Sequence, residues 1–247
     1  MIFSGGVIGG ARPAQGVTFG SGAYMLRGAL AGVGDGYTGV ISFWFKVPSS
    51  GVFRELFAGS PDLTWNGAVY ARLGNTGWVN MVCKSTDRNT TRVSIATNYA
   101  QSNGVNEWYH IVASWNSGTG NRLMYVNGAS AAGASTGTNG IIRYNNAYWA
   151  LGKQLDNTDY FGPGASMAEF FFAPNQFIDL TVASNREKFL RPNGKPAFLG
   201  RNGEKPLGVS PSIYLTGPAS TFGTNYGTGG DFTPYGTFTD EGSAVTL

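Results

Sequence analysis

The chain has very little of the residue types that carry most enzyme chemistry. It contains one cysteine, Cys83, and one histidine, His110, among 247 residues. An internal disulfide needs two cysteines, and every Ser-His-Asp or Cys-His arrangement would have to use that one histidine. Cys83 follows a strand-like run, 79–82, so we expect it to be a small buried hydrophobe. These shortages exclude a disulfide scaffold and argue against nucleophilic catalysis.

Charge is scarce as well. Charged residues make up 13% of the chain, and 17 basic against 14 acidic residues give a net charge of +3, scattered along the sequence. A nucleic-acid-binding surface needs Lys and Arg clustered on one face. No apolar run reaches the length of about 18 residues that spans a bilayer, and the first residues lack the features of a secretory signal. We therefore expect no nucleic-acid partner, no membrane insertion and synthesis in a cytoplasm.

Glycine and aromatic residues are abundant by contrast, with 38 glycines and 14% aromatics, a balance typical of many turns and strands. The segment 107–128 shows this best. From Trp108 to Trp115 successive residues alternate between two faces, residues 116–121 supply a turn, and Asn127-Gly128 suits a type I′ turn. We expect a hairpin here, in which His110, Trp108 and Trp115 are packing residues.

Further strands are predicted along most of the chain, each bounded by Gly, Asn or Pro, at 17–26, 39–47, 53–58, 69–73, 78–84, 92–97, 148–152, 167–172 and 212–216. This spacing predicts an all-β fold, a two-sheet antiparallel jelly-roll sandwich. One short helix is expected near residues 180–190, because Ser184 and Glu187 have the spacing of a capping box.

The chain is predicted to be one domain, 1–247, with an N-terminal arm (1–16), a sandwich core (17–216) and a C-terminal extension (217–247). The extension is rich in turn residues, yet it carries aromatic residues that a disordered tail would lack. We expect it to pack on the core or on a neighbouring subunit. These aromatic residues are Phe222, Tyr226, Phe232, Tyr235 and Phe238.

The segment Glu-Trp-Tyr-His-Ile-Val-Ala-Ser-Trp at 107–115 resembles a strand of laminin-G-like, concanavalin A-like jelly rolls. Other stretches match the same family, at 17–25, 41–46, 123–128 and 161–179. The later segments 189–203, 211–215 and 225–232 are similar to a variant of this fold in bacteriophage and prophage virion proteins. The resemblance implies a non-enzymatic virion protein.

Such a protein would decorate a capsid, or form a head fibre or tail part, through contacts with other virion subunits. It would be made in the host bacterial cytoplasm and be located in the virion. Edge strands and terminal arms favour a homo-oligomer of closed symmetry. Some relatives with this fold are glycoside hydrolases, which use a Glu-x-Asp-x-x-Glu strand. No glutamate of this chain has an acidic residue two positions on, so no catalytic residues are predicted.

The rival hypothesis is a carbohydrate-binding module that recognises a host surface glycan. Aromatic residues beside Gly, Asn and Thr offer rings on which a pyranose could stack. The alternative is that these rings cover sheet edges, because aromatic residues bury large areas. The candidates are Trp65, Trp78, Tyr144, Tyr148 and Tyr160.

Calcium is the one cofactor for which the sequence offers ligands. Asp156, Asn157 and Asp159 provide hard oxygen atoms at close spacing, although without the ordered frame of an EF-hand. Laminin-G-like folds frequently bind calcium at a loop edge, so the resemblance implies a site here. A turn in which Asp and Asn side chains bond their own backbone is the alternative, and it needs no metal.

Overall fold

Short antiparallel strands make up most of the regular structure. A computed structural model describes residues 14–63, 67–98, 105–130, 135–154, 160–242 and 245–247. The strands are β1 (Gly16–Phe19), β2 (Tyr24–Arg27), β3 (Thr38–Lys46), β4 (Arg54–Ser60), β5 (Val69–Leu73), β6 (Trp78–Lys84), β7 (Thr91–Asn98), β8 (Tyr109–Asn116), β9 (Asn121–Val126), β10 (Ala129–Ser130), β11 (Ser135–Thr136), β12 (Tyr148–Leu151), β13 (Ser166–Pro174), β14 (Ile213–Leu215), β15 (Thr233–Tyr235) and β16 (Phe238–Asp240).

The strands form two antiparallel sheets that pack face to face. Sheet 1 has the order β10-β9-β8-β3-β13-β1-β16, with β14 also paired to β13, and sheet 2 has the order β11-β7-β6-β5-β4-β12-β2-β15. Phe57 of sheet 2 meets Phe170 and Phe172 of sheet 1 with ring centroids 5.0 and 5.1 Å apart. The predicted two-sheet all-β sandwich is therefore confirmed.

The hairpin of β8 and β9 behaves as its alternation predicts. Ile111 and Trp115 lie in the core between the sheets, whereas His110 lies on the other face of sheet 1, and all three are buried. Asn127 and Gly128 have φ values of 51° and 77°, as a type I′ turn requires. Cys83 is also buried in the core, as expected.

A layer of irregular chain, residues 175–199, covers the outer face of sheet 1. We call it the covering layer. Phe189 packs edge to face on Phe171 of β13, with centroids 5.5 Å apart, and Leu190 packs with Trp44 and Trp108. Burial of large apolar side chains on both faces of sheet 1 stabilises the layer, at about 25 cal/mol per Å² of apolar surface.

The predicted helix exists but is shorter than expected, and its predicted capping box is wrong. Helix α1 spans Ala183–Arg186, so Ser184 lies inside it rather than at its start. The chain enters the helix through a turn in which Asp179 Oδ1 accepts from the Thr181 amide at 2.9 Å. An aspartate two residues before an amide offers this bond locally, and the turn takes the place of a serine cap. No described helix is long or apolar enough to cross a membrane.

The C-terminal segment adds a strand to each sheet. β15 pairs with β2, and β16 pairs with β1. Phe222 and Phe232 are buried in the core, and Glu241 forms an ion pair with Lys46 at 2.7 Å. The apolar residues of this segment thus have a place in the chain's own sandwich. Of the predicted N-terminal arm, residues 1–13 lie outside the described residues.

Candidate functional site

The outer face of sheet 2 is the sheet face that no described segment covers. In β5, Val69, Ala71 and Leu73 point into the core, so Tyr70 and Arg72 point outward. The small buried cluster on this face joins Ala58 and Ala150 to three larger neighbours, all contributed by strands of sheet 2, namely Leu26, Tyr70 and Tyr148. Among the described residues, the half-buried rings on this face are thus packed against their own sheet and not under a second layer.

Four side chains at one end of this face form what we call the Arg72 cluster: Phe53, Tyr70, Arg72 and Trp78. The guanidinium carbon of Arg72 lies 4.9 Å from the centroid of the Tyr70 ring and 5.7 Å from that of Trp78. Phe53, which is 44% exposed, meets Trp78 edge to face at 6.1 Å. Such cation–π contacts fix the plane of the guanidinium and leave its edges available for hydrogen bonds.

The turn between β5 and β6 positions Trp78. The Gly74 amide donates to the Trp78 carbonyl at 2.8 Å, and Gly77 has a φ of 83°. A β-carbon at Gly74 would overlap the Trp78 indole ring, so only glycine lets the ring lie back over the turn. The turn therefore holds the indole beside Arg72.

A second group of rings, the tyrosine cluster, lies toward the β15 edge of sheet 2. It consists of Tyr24, Lys153, Tyr160 and Tyr235. Tyr24 stacks on Tyr235 with centroids 4.8 Å apart, and Lys153 Nζ lies 4.2 Å from the Tyr24 centroid. Burial is the main cause that raises the pKa of the Tyr24 hydroxyl, and Tyr235 and Tyr160 raise it further. The hydroxyl is therefore a neutral donor at physiological pH.

Three of the five predicted glycan-binding residues lie on this side of the molecule. Trp78 belongs to the Arg72 cluster, Tyr160 to the tyrosine cluster, and Tyr148 to the small cluster between them. All three are partly exposed. Trp65 lies outside the described residues.

The prediction for Tyr144 is wrong. Its side chain is 0% exposed, and its hydroxyl accepts a hydrogen bond from Trp115 Nε1 at 2.7 Å inside the core. A ring in this position cannot stack on a sugar. Tyr144 lies in a loop-like stretch of sequence, which suggested exposure. The sequence does not show that Trp115, distant in the chain, provides the polar partner that a buried tyrosine hydroxyl needs.

His110 is a packing residue, as the sequence predicts. Its Nε2 lies 2.9 Å from Ser42 Oγ, a pairing that resembles part of a catalytic set, but the side chains of both residues are buried. Burial lowers the pKa of His110 to about 3. A neutral imidazole sealed under the covering layer has no route to a substrate.

The predicted calcium ligands Asp156, Asn157 and Asp159 lie outside the described residues. Within the described part of the chain, no group of three His, Cys, Asp or Glu residues is close enough to hold a metal ion.

Sequence reasoning missed Tyr70, Arg72, Phe53, Tyr24 and Lys153. The signal for the first two was present, because Val69-Tyr-Ala-Arg-Leu73 alternates apolar inward residues with an outward ring and cation. The tyrosine cluster had no such signal, since its members come from distant parts of the chain.

Comparison with known families decides the relationship. A laminin G family model, described as the concanavalin A-like lectin/glucanases superfamily, matches residues 19–170. The chain belongs to this superfamily. Its matched part runs from β1 into β13, and thus includes both strands that carry the Arg72 cluster's sheet residues, β5 and β6. A search of curated protein sequences finds no match.

Solved structures share the fold at low identity. A heptameric SAP-like pentraxin from Limulus polyphemus is 12% identical, with a TM-score of 0.57 over 95% of this chain and 97% of its own. A putative carbohydrate binding protein from Bacteroides ovatus ATCC 8483 is 11% identical, with a TM-score of 0.59 over 95% of this chain and 62% of its own. At this identity the likeness shows the fold alone.

Proposed function

We propose that this superfamily member is a non-enzymatic carbohydrate-binding protein that holds a glycan on the outer face of sheet 2. The observation that carries the proposal is the row of partly exposed rings on that face, Trp78, Tyr70 and Tyr148, with no described segment packed over them. Aromatic faces stack on the apolar side of a pyranose ring, and neighbouring polar groups bind its hydroxyls.

Polar groups suited to sugar hydroxyls stand beside these rings. Within the described residues, the hydroxyls of Tyr70 and Tyr148 make no hydrogen bond, and neither does the Trp78 indole nitrogen. Burial raises the pKa of the Tyr70 hydroxyl, so it is a neutral donor and acceptor. A ligand with hydroxyl groups would satisfy these atoms as well as water does.

The acidic residues of sheet 2 support a binding rather than a hydrolytic role. Glycoside hydrolysis commonly needs two carboxylates that flank the scissile bond. Among the strands of sheet 2, Glu55 is the one acidic residue. It is buried beside Arg72 in the β4–β5 register, and no second strand residue supplies the partner carboxylate.

The test is a glycan array probed with the wild-type chain and with Tyr70→Ala and Trp78→Ala. We expect reproducible binding to a limited set of glycans and its weakening, by about tenfold, in both variants, because each ring removed takes away stacked apolar area and about 1.4 kcal/mol corresponds to tenfold in affinity. Tyr37→Ala is the matched control, since Tyr37 is 46% exposed and lies outside both clusters. Absence of any glycan binding, or equal loss in the control, would refute the proposal.

A structural role in a phage virion stays a prediction from the sequence resemblance. So do its predicted partners, which are other virion proteins, and its predicted homo-oligomeric state. Residues 189–199 lie in one of the segments that resemble virion proteins, and in this chain they belong to the covering layer on sheet 1. Association of the purified chain with phage particles is the measurement that would support this role. It is compatible with glycan binding, since a virion protein that recognises a host needs a ligand-binding face.

A further inference from the structure

The exposed lysines and arginines of the described chain all lie in one region. They belong to the covering layer and to the segment 200–210 that continues it, and every other described Lys or Arg is at least partly buried. We call these five residues the basic surface: Lys188, Arg191, Lys195, Arg201 and Lys205. Outside this region, the charged residues that the described surface exposes are all acidic, namely Asp35, Asp87, Glu107, Asp231 and Asp240.

The net charge of the chain has the same origin. Residues 175–210 contain six basic and three acidic residues, so the remaining sequence has eleven of each. Two of the three acids, Asp179 and Glu204, accept from the backbone amides of Thr181 and Asn202 at 2.9 Å. Within the described residues, no ion pair joins these acids to the basic surface. The electrostatic field of the molecule is therefore polarised, with its positive side over the covering layer.

Backbone contacts gather the basic surface on one side of the sandwich. The Arg191 amide donates to the Lys195 carbonyl at 2.9 Å, so a single turn carries both cations. The Lys205 amide donates to the Leu199 carbonyl at 2.8 Å, and Lys205 Nζ lies 4.5 Å from the centroid of the Phe198 ring. Leu199 is buried in the cluster that packs on sheet 1. The exposed side chains of this segment thus point away from sheet 1.

Exposed apolar side chains accompany the cations. Phe177, Val182, Phe198 and Val209 are between 36% and 47% exposed. A purely hydrophilic polyanion would leave these side chains in water. The interface of an anionic bilayer instead offers negative headgroups to Lys and Arg and an apolar boundary to the side chains between them.

We propose that the basic surface binds the surface of an anionic lipid bilayer, with the exposed apolar side chains of the layer at the headgroup boundary. The acidic remainder of the surface is repelled by the same headgroups, so the chain binds in one orientation, with the covering layer toward the lipid. Sheet 2 then faces away from the bilayer. The inference does not depend on the proposed glycan-binding function, and it leaves the outer face of sheet 2 accessible to a glycan.

The test is co-sedimentation of the full chain with lipid vesicles. The probes are vesicles of phosphatidylcholine alone and vesicles with about 30% phosphatidylglycerol. We expect binding to the anionic vesicles at least about tenfold tighter than to the neutral ones, because several Lys and Arg side chains act together. Raising the salt from about 0.1 M to about 0.5 M should weaken this binding.

A charge variant locates the binding surface. Lys188→Gln combined with Lys195→Gln should weaken binding to the anionic vesicles by about 25-fold, or about fivefold for each lysine. Thr86→Glu combined with Thr136→Glu is the matched control. It lowers the net charge by the same amount, but at exposed positions beside sheet 2. It should bind nearly as well as the wild-type chain.

An apolar variant separates a bilayer from other anions. Phe198→Ser should weaken binding by about threefold at both salt concentrations, because apolar burial is not screened by salt. Ile141→Ser is the control, since Ile141 is 42% exposed and lies outside the basic surface. Near-ultraviolet circular dichroism would verify that each variant is folded.

The outcomes distinguish this inference from the proposed function. Failure to bind anionic vesicles, or equal weakening by the two charge variants, would overturn the inference and leave glycan binding on sheet 2 intact. Tighter binding to a DNA duplex or to poly-glutamate than to the vesicles, with no effect of Phe198→Ser, would overturn the assignment to a bilayer. A glycan array without binding would refute the proposed function and leave this inference standing.

Discussion

The two outer faces of the sandwich differ in what covers them. On sheet 1, Trp44, Val112 and Phe171 lie buried under the covering layer. On sheet 2, Tyr70 and Trp78 are only half-buried, and their contacts are with residues of the same sheet or of the turn beside it. Among the described residues, the rings of sheet 1 are therefore packed on both sides, whereas those of sheet 2 are packed against their own sheet and its turns.

The largest expected difference is in the cost of removing a tryptophan. Trp44→Ala should lower the free energy of unfolding by about 3–5 kcal/mol, because a large side chain leaves a cavity between sheet 1 and the covering layer. Trp78→Ala should cost about 1 kcal/mol, since its ring is partly solvated already. Urea unfolding followed by circular dichroism measures both values. Equal costs would mean that the two faces are packed alike.

The strands, the sandwich and the faces of the β8–β9 hairpin could be predicted because period-2 alternation is a local property of the sequence. β15 and β16 could not, since Thr-Pro-Tyr and Phe-Thr-Asp have weak strand patterns and extend only because β2 and β1 offer free edges. The same limit applies to the site. Trp78 was identifiable as an aromatic residue at a strand end, but the tyrosine cluster and the burial of Tyr144 depend on contacts between distant segments.

The buried histidine of sheet 1 should make stability depend on pH. His110 has a pKa of about 3 in the folded chain and about 6.5 when unfolded, so the unfolded state binds the extra proton as the pH falls. The stabilisation from neutral His110 is complete above pH 6.5, the pKa in the unfolded chain, and it is lost as the pH falls toward about 3, the pKa in the folded chain. Between pH 7 and pH 5 the loss should be about 2 kcal/mol.

His110→Gln isolates this contribution, because glutamine does not titrate. Urea unfolding at pH 7, 6 and 5 should show a smaller pH dependence in the variant than in the wild-type chain. Burial raises the pKa of Glu169, so this carboxyl group acts in the opposite direction over the same interval, but it is present in both proteins and cancels in the comparison. Parallel curves for the two proteins would show that His110 gains access to protons in the folded state.

The smallest expected effect on the free energy of unfolding comes from removing one tyrosine hydroxyl from each face. On the covered side of sheet 1, the Tyr214 hydroxyl donates to Glu169 Oε2 at 2.7 Å in a buried site, so Tyr214→Phe should cost about 1–2 kcal/mol of unfolding free energy. Tyr70→Phe should change stability by no more than about 0.5 kcal/mol, because its hydroxyl has no partner within the described residues. If the open-face substitution costs as much as the buried one, Tyr70 has a structural partner, and its hydroxyl is not reserved for a ligand.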